Sequence, residues 1–208
     1  MQAALTCSKM GHKVILCEKN ERLGGVLRCE ENVAFKKNLD YYLNQQAKCV
    51  EEDKNIELRL QTKVTPEYAE DLNADVIIAA LGAKAARPQV PGIDSNNVLS
   101  AQEAYPLADK LGPKVVILGA GLVGIELGLH LIRYGKQVTI LEMTDHMSDG
   151  GNFLHMLGLH TEIKKRGLKI FFHTQAVQIT DEGVACRTPE GDSFTRQTRL
   201  SMQPVRSR

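Results

Sequence analysis

Gly119-Ala-Gly121-Leu-Val-Gly124-Ile-Glu-Leu-Gly128 decides how this 208-residue chain is read. An apolar run, residues 115–118, leads into it, and an apolar-striped segment follows as far as Gly135. A second apolar run, residues 138–141, then stops on an acid, Glu142, 23 residues after the first glycine. Strand, glycine turn, helix, strand, acid is the order that a dinucleotide site needs. Gly119 permits the tight turn. Gly121 has no Cβ to keep a pyrophosphate from the backbone, and Gly124 lets the helix lie close to the strand. The first-turn amides of Leu122, Val123 and Gly124, at the positive end of the helix dipole, favour phosphates. Glu142 would accept hydrogen bonds from the adenosine ribose hydroxyls. A GxGxxG run alone also occurs as a tight turn in α/β proteins that bind nothing. The flanking elements and the spaced acid argue for the dinucleotide.

The start of the chain repeats part of this unit. Slid by 124 positions, Met10-Gly-His-Lys-Val-Ile-Leu-Cys-Glu18 falls on Tyr134-Gly-Lys-Gln-Val-Thr-Ile-Leu-Glu142 without a gap. Gly11 then matches Gly135, Val14 matches Val138 and Glu18 matches Glu142. On this register the counterpart of Gly124 falls just before Met1, so the first unit is expected to lack its leading strand and its phosphate-binding turn. A helix over residues 2–10, a strand over 13–17 and the acid Glu18 remain.

Four stretches carry a resemblance to a known family. They are Glu18-Lys-Asn-Glu-Arg-Leu-Gly-Gly25, Asp75-Val-Ile-Ile-Ala-Ala-Leu-Gly82, Pro88-Gln-Val-Pro-Gly92 and the glycine run at 119–128. Together they resemble the flavoprotein reductases built from two dinucleotide domains. In particular, they are similar to the C-terminal half of the NADH:flavin oxidoreductases related to 2,4-dienoyl-CoA reductase, trimethylamine dehydrogenase and bacterial enoate reductases. The likeness runs from Gln2 to about Thr195. It implies an α/β fold of two Rossmann-like units: a truncated FAD unit over residues 1–100 and an NAD unit over 101–195 that holds a β-meander. It further implies that Glu18 binds the flavin adenosine ribose, that Arg22, Gly24 and Gly25 line the FAD adenylate and pyrophosphate region, and that Gly82 ends a strand passing close to the cofactor. In that family hydride passes from NADH to FAD, then through an iron–sulfur cluster to FMN in an upstream barrel that reduces an enoate-type substrate.

Composition narrows the classes. The chain holds 26 basic and 25 acidic residues, a formal net charge of +1. No basic patch interleaved with aromatics points to nucleic acid. Residues 115–132 are apolar enough to suggest a membrane span, but Glu126, the glycines and the strand-turn-helix pattern mark buried α/β structure. No signal peptide is read. The five cysteines, Cys7, Cys17, Cys29, Cys49 and Cys186, make no C-x-x-C pair. That argues against a thiol-disulfide centre or an iron–sulfur ligand set and fits reduced thiols in a cytoplasmic protein. No metal site is expected: His155 and His160 are five apart, off one helix face. Phe153, Met156, Leu157, His160 and Ile163 trace a helical stripe instead, with His160 at the core edge.

The remaining elements follow from pattern. Residues 30–52, with Phe35, Leu39, Tyr42 and Leu43, read as one amphipathic helix, and 56–64 as a half-buried strand. Thr65 caps a short helix that starts with Pro66. Residues 75–81 read as a buried parallel strand. Residues 82–92 form a crossover linker and 96–111 connect the units. Helix 153–166 and strand 168–172 precede a meander over 177–180, 184–187 and 192–195, set by Asp181-Glu-Gly183 and Pro189-Glu-Gly191.

Residues 196–208 carry four arginines and are expected to be irregular. The resembled family continues here as Ala-Asp-Thr-Val-Val-x-Ala-x-Gly. One permitted codon choice for the tail, read two bases along, encodes a peptide of that kind, so the tail reads as a frameshift product that removes the strand closing the NAD unit. No residue is expected to act as general acid, base or nucleophile, because cofactors carry hydride chemistry. Two functions stay open: the reductase portion of an NADH- and FAD-dependent oxidoreductase, or a non-catalytic dinucleotide-binding or assembly module. Glu142, with no arginine in 143–147, favours NADH over NADPH.

Overall fold

The computed structural model describes residues 1–85, 87–148, 153–196 and 199–202. It is a mixed α/β protein whose chain separates into two compact units, Met1–Ala83 and Lys84–Arg208.

In the first unit, α1 (Gln2–Lys9) leads into β1 (Val14–Cys17), a 3₁₀ turn (Gly25–Glu30), α2 (Lys37–Glu52), β2 (Ile56–Arg59) and α3 (Pro66–Asp71). β1 and β2 pair in parallel, Val14 with Ile56 through Cys17 with Arg59. Ala4, Leu23, Val50 and Ile56 form the core, with Leu5, Val14 and Leu16 packed against it. Pro66 starts α3 and the Thr65 hydroxyl accepts from the Tyr68 amide at 3.2 Å, as the sequence predicts. The helix expected over 30–52 begins only at Lys37, after the 3₁₀ turn, and Phe35 and Tyr42 are exposed. Leu43 buries as expected, together with Val50 seven residues on along the same face.

Residues 75–81 depart from expectation more sharply. They form no strand, and Val76, Ile77, Ile78 and Leu81 are 76, 63, 60 and 83% exposed. A parallel strand buried on both faces needs ladder partners. The described sheet of this unit holds only β1 and β2, so the run finds no partner despite its composition.

In the second unit, β3 (Val98–Ser100) and α4 (Ala101–Ala104) come first. There follow β4 (Lys114–Leu118), α5 (Leu122–Arg133), β5 (Gln137–Leu141), α6 (Phe153–Arg166) and β6 (Lys169–Phe171). Antiparallel β7 (Gln175–Ile179), β8 (Gly183–Thr188) and β9 (Gly191–Arg196) come next, then β10 (Arg199–Met202). The main sheet is parallel, in the order β3-β10-β4-β5-β6. The chain runs outward from β4 through β5 and β6, then returns to the other side of β4. The order therefore reverses at β4, whose carboxyl end is where α/β sheets place ligands. Val116 and Leu141 of the sheet and Ile179, Val184 and Cys186 of the meander share a core with Val90 and Ile93.

Two expectations are corrected here. The segment expected to connect units at 96–111 belongs to the second unit, where β3 is a sheet strand and α4 opens with a Ser100–Glu103 capping box. Within the tail expected to be irregular, β10 inserts between β3 and β4. Two flanking strands offer backbone partners on both edges, and that pairing overrides a weak local pattern. The strand position at β4 is thus filled, not lost; residues 197–198 and 203–208 lie outside the described residues. The stripe on α6 also shifts. Met156 and Leu159 are its buried residues, while Leu157 and His160 face solvent and the Phe153 side chain lies outside the described residues.

On the far face of α5, His130 is 2% exposed between Tyr105 and Tyr134, ring centroids 5.4 and 5.0 Å away. Burial holds its imidazole below the ordinary histidine range, and Arg133 adds to this, against a hydrogen bond to the Tyr105 backbone. The fold therefore keeps His130 neutral where the unfolded chain takes up a proton, below about pH 6.5. This contribution is complete above that pH and declines as pH falls toward the folded-state value. Thermal melts should show Tm dropping from pH 7 to 5.5, with a shallower drop for His130→Gln. Parallel slopes for the two proteins would remove His130 as the cause.

Candidate functional site

Gly119 lies at φ 103°, a backbone region that only glycine enters without strain, and turns the chain out of β4. Its amide donates to the Leu141 carbonyl at 2.8 Å, extending the β4–β5 ladder by one residue. Gly121 is the N-cap of α5 at φ −80°, ψ 177°, and as glycine has no side chain of its own to cap the helix. The first-turn amides of Leu122, Val123 and Gly124 have no intrahelical acceptors by geometry. Ser148 lies alongside: its amide donates to the Ala120 carbonyl at 3.2 Å. The close approach of α5 to the sheet is visible at Gly128, where a Cβ would sit 3.2 Å from Leu168 and 3.4 Å from Ile140.

Glu142 follows β5 and is tied to the glycine turn. Its Oε2 accepts from the Ala120 amide at 2.7 Å. Its Oε1 accepts from the Thr144 amide at 2.8 Å and the Thr144 hydroxyl at 2.9 Å. The structure thus brings Gly119, Gly121 and Glu142 into one cradle through Ala120, a residue that the glycine pattern leaves unspecified. A carboxylate beside a turn of positive-end amides is the arrangement that holds a ribose and a pyrophosphate.

In the first unit Glu18 is held in the same manner. Its Oε1 accepts from the Asn20 amide at 2.9 Å and from Asn20 Nδ2 at 2.8 Å. Asn20 and Thr144 are 124 positions apart, the register of the repeat. The backbone repeats as well. The Glu18 amide donates to the Arg59 carbonyl and the Thr62 amide to the Glu18 carbonyl; Glu142 does the same with Phe171 and Thr174. Gln61 at φ 52° and His173 at φ 50° mark the same turn. Sequence reading missed Asn20, Thr144, Thr62 and Thr174, although the 124-residue register already set two side-chain donors at one position after each acid.

Arg22, Gly24, Gly25 and Gly82 are less assembled. Arg22 pairs with Glu31. Gly24 and Gly25, at φ 120° and 55°, make the turn, and a Cβ on Gly24 would meet Arg28 Nε at 2.6 Å. Arg28 in turn donates to the Leu23 carbonyl and to Asn44, each at 2.8 Å. Gly82, φ 74°, follows the unpaired run with open space around it. Cys29, beside this turn, has its thiol pushed up to about 11, first by burial and then by Glu30, which disfavours a reactive thiolate. On α5, the carboxylate of buried Glu126 meets His155 Nε2 at 2.9 Å. Among the described residues no three His, Cys, Asp or Glu side chains gather as a metal site, and no helix is long and apolar enough to cross a membrane.

With respect to NAD, the residues fit: the turn needs glycine at φ 103°, the N-cap residue is a glycine with no Cβ, and the acid is preset. For FAD the first unit offers the acid end, with Glu18 held by the Asn20 amide and side chain.

Known proteins match along nearly the whole chain. Residues 1–200 match the family described as pyridine nucleotide-disulphide oxidoreductase. Cinnamate reductase of Clostridium sporogenes is 35% identical over 93% of the chain and 29% of its own length. NADH oxidase of Thermoanaerobacter brockii is 29% identical over 92% of the chain and 30% of its own length. The structure of a 2-naphthoyl-CoA reductase complex superposes with a TM-score of 0.88 at 24% identity, over 98% of this chain and 31% of that one. The chain thus spans about a third of the length of these larger proteins.

Proposed function

Since the chain belongs to the pyridine nucleotide-disulphide oxidoreductase family, we propose that its second unit binds NADH and that the whole is the reductase portion of a flavin-dependent oxidoreductase. The observation that carries this reading is the tie from the Ala120 amide to Glu142 Oε2 across the glycine turn. Gly119, Gly121 and the amides of Leu122, Val123 and Gly124 would receive the pyrophosphate, and Glu142 the adenosine ribose. In the first unit Glu18 would receive the flavin's adenosine ribose, with Arg22, Gly24, Gly25 and Gly82 around it. When both cofactors are bound, the nicotinamide supplies hydride and the flavin accepts it. The chain's own residues bind and orient. Onward transfer to an upstream FMN and iron–sulfur barrel, with an enoate-type substrate, is the fuller form of the proposal. It draws on the reductases among the relatives and on the chain's share of their length.

Nucleotide choice tests the site. A 2′-phosphate beside Glu142 would place like charges near each other, a repulsion of about 4 kcal/mol at ~4 Å and an effective dielectric of ~20. Solvent exposure reduces this, so NADH should bind at least about tenfold more tightly than NADPH in a fluorescence titration. Glu142→Gln, which keeps an acceptor for Ala120 and removes the charge, should bring the two within about threefold. Equal binding of both nucleotides by the unaltered chain would count against the site.

A further inference from the structure

Resting on the NADH reading of the second unit, we infer that Thr144 is a positioning residue that sets nucleotide specificity through its hydroxyl proton. The Thr144 hydroxyl is 2.9 Å from Glu142 Oε1 and 3.0 Å from the His146 carbonyl oxygen. It carries one proton and can donate to only one of them at a time. The Glu142 carboxylate, with about four acceptor positions, already takes the Ala120 amide on Oε2 and the Thr144 amide on Oε1. With the hydroxyl also donating, one position remains. With the hydroxyl turned to His146, two remain, the number that a ribose diol needs. The turn leaves no polar group unsatisfied, because the His146 carbonyl takes over the proton.

The same clamp makes the acid intolerant of a 2′-phosphate. Such a group offers no proton to Glu142 at neutral pH, so the carboxylate would have to swing aside. Swinging aside breaks the bond from Ala120 and the two from Thr144 together, and the first of these shapes the phosphate-binding turn. The charge of Glu142 is thus held facing the ribose position. The first unit supports the assignment independently. Asn20, at the same register, donates its amide and its Nδ2 to Glu18 Oε1. A main-chain and a side-chain donor from the second residue after the acid recur in both units, with two different side chains.

NADH and NADPH affinities of the full 208-residue chain, measured by fluorescence titration for the unaltered protein, Thr144→Val, Thr144→Ala and Thr144→Ser, test this. Thr144→Val keeps shape and the amide donor but has no hydroxyl. It and Thr144→Ala leave Glu142 the two acceptor positions a ribose diol needs, so NADH should stay within about twofold, while loss of one of the three bonds that hold the acid in place should tighten NADPH about fivefold, the worth of one hydrogen bond to a charged group. The preference for NADH then shrinks, and Thr144→Ser restores it. If Thr144→Val weakens both nucleotides equally, or leaves the preference unchanged while the unaltered chain still selects NADH, the role of Thr144 is overturned and the NADH site stands. If the unaltered chain binds NADH no better than Gly121→Asp does, the NADH site falls and the role of Thr144 falls with it.

Discussion

Gly92→Ala should destabilise the second unit by about 3 kcal/mol, the largest single-residue loss expected outside the candidate nucleotide site. Gly92 lies at φ 86°, and a Cβ there would stand 2.1 Å from the Ile179 carbonyl oxygen. The neighbouring Pro91 carbonyl accepts from the Ile179 amide at 2.8 Å, so the collision falls on the contact that fastens residues 90–93 to the meander. Left-handed strain contributes about 1–2 kcal/mol and the overlap a similar amount. Gly135→Ala separates the two effects. It has φ 73° and open space, so it should lose only about 1 kcal/mol. Urea unfolding of both variants measures this, and a Gly92→Ala loss no greater than that of Gly135→Ala would mean the segment yields freely.

Grafting the chain's own Lys114–Gly124 sequence ahead of Met1 should strengthen FAD binding by the 208-residue chain. The repeat register assigns this segment to the position before α1, and β4 in the second unit pairs on both edges. In the first unit β1 is paired on one edge among the described residues, and the apolar run at 75–81 has no partner. A strand supplied between them would give the run a ladder, and its glycine turn would give α1 a phosphate cradle. FAD affinity should rise at least about a hundredfold, since backbone donors and helix dipole act together on the pyrophosphate. NADH-dependent reduction of an artificial acceptor, slight in the 208-residue chain, should rise with it. Limited proteolysis should cut the ungrafted chain within 75–83 and spare the graft. Unchanged cutting and unchanged FAD binding would show that the register between the units is not a structural one.

Local sequence foretold the elements whose pattern and partners agree. The β4–turn–α5–β5 run, α6 and the meander all fall where periodicity and turn residues set them. Residues 75–81 and β10 fail in opposite directions for one reason. A strand is a pairing, so Val76, Ile77 and Ile78 stay exposed without a ladder while Arg199–Met202 becomes a strand between two. The candidate site was legible in its glycines and acids because the roles proposed for them depend on backbone shape and charge. Its clamps were not, because Ala120, Asn20 and Thr144 act through amides and small donors, and nothing in an isolated residue type marks that use. Arg22, assigned to the FAD pyrophosphate region by family resemblance, pairs with Glu31, a partner that its residue type alone does not mark.

The place of β10 has a consequence for how the second unit comes into being. Leu200 pairs with Val98, more than a hundred residues earlier, and with Val116 on its other side. During vectorial synthesis β4, β5 and β6 can assemble as soon as they emerge, whereas β3 must wait beside an open slot until nearly the last described residue is made. Such a long closure slows the final step and leaves two bare strand edges facing each other in the interim. A nascent chain stalled before residue 199 would be sticky at that slot, and the arrival of β10 would decide between a closed sheet and an aggregate.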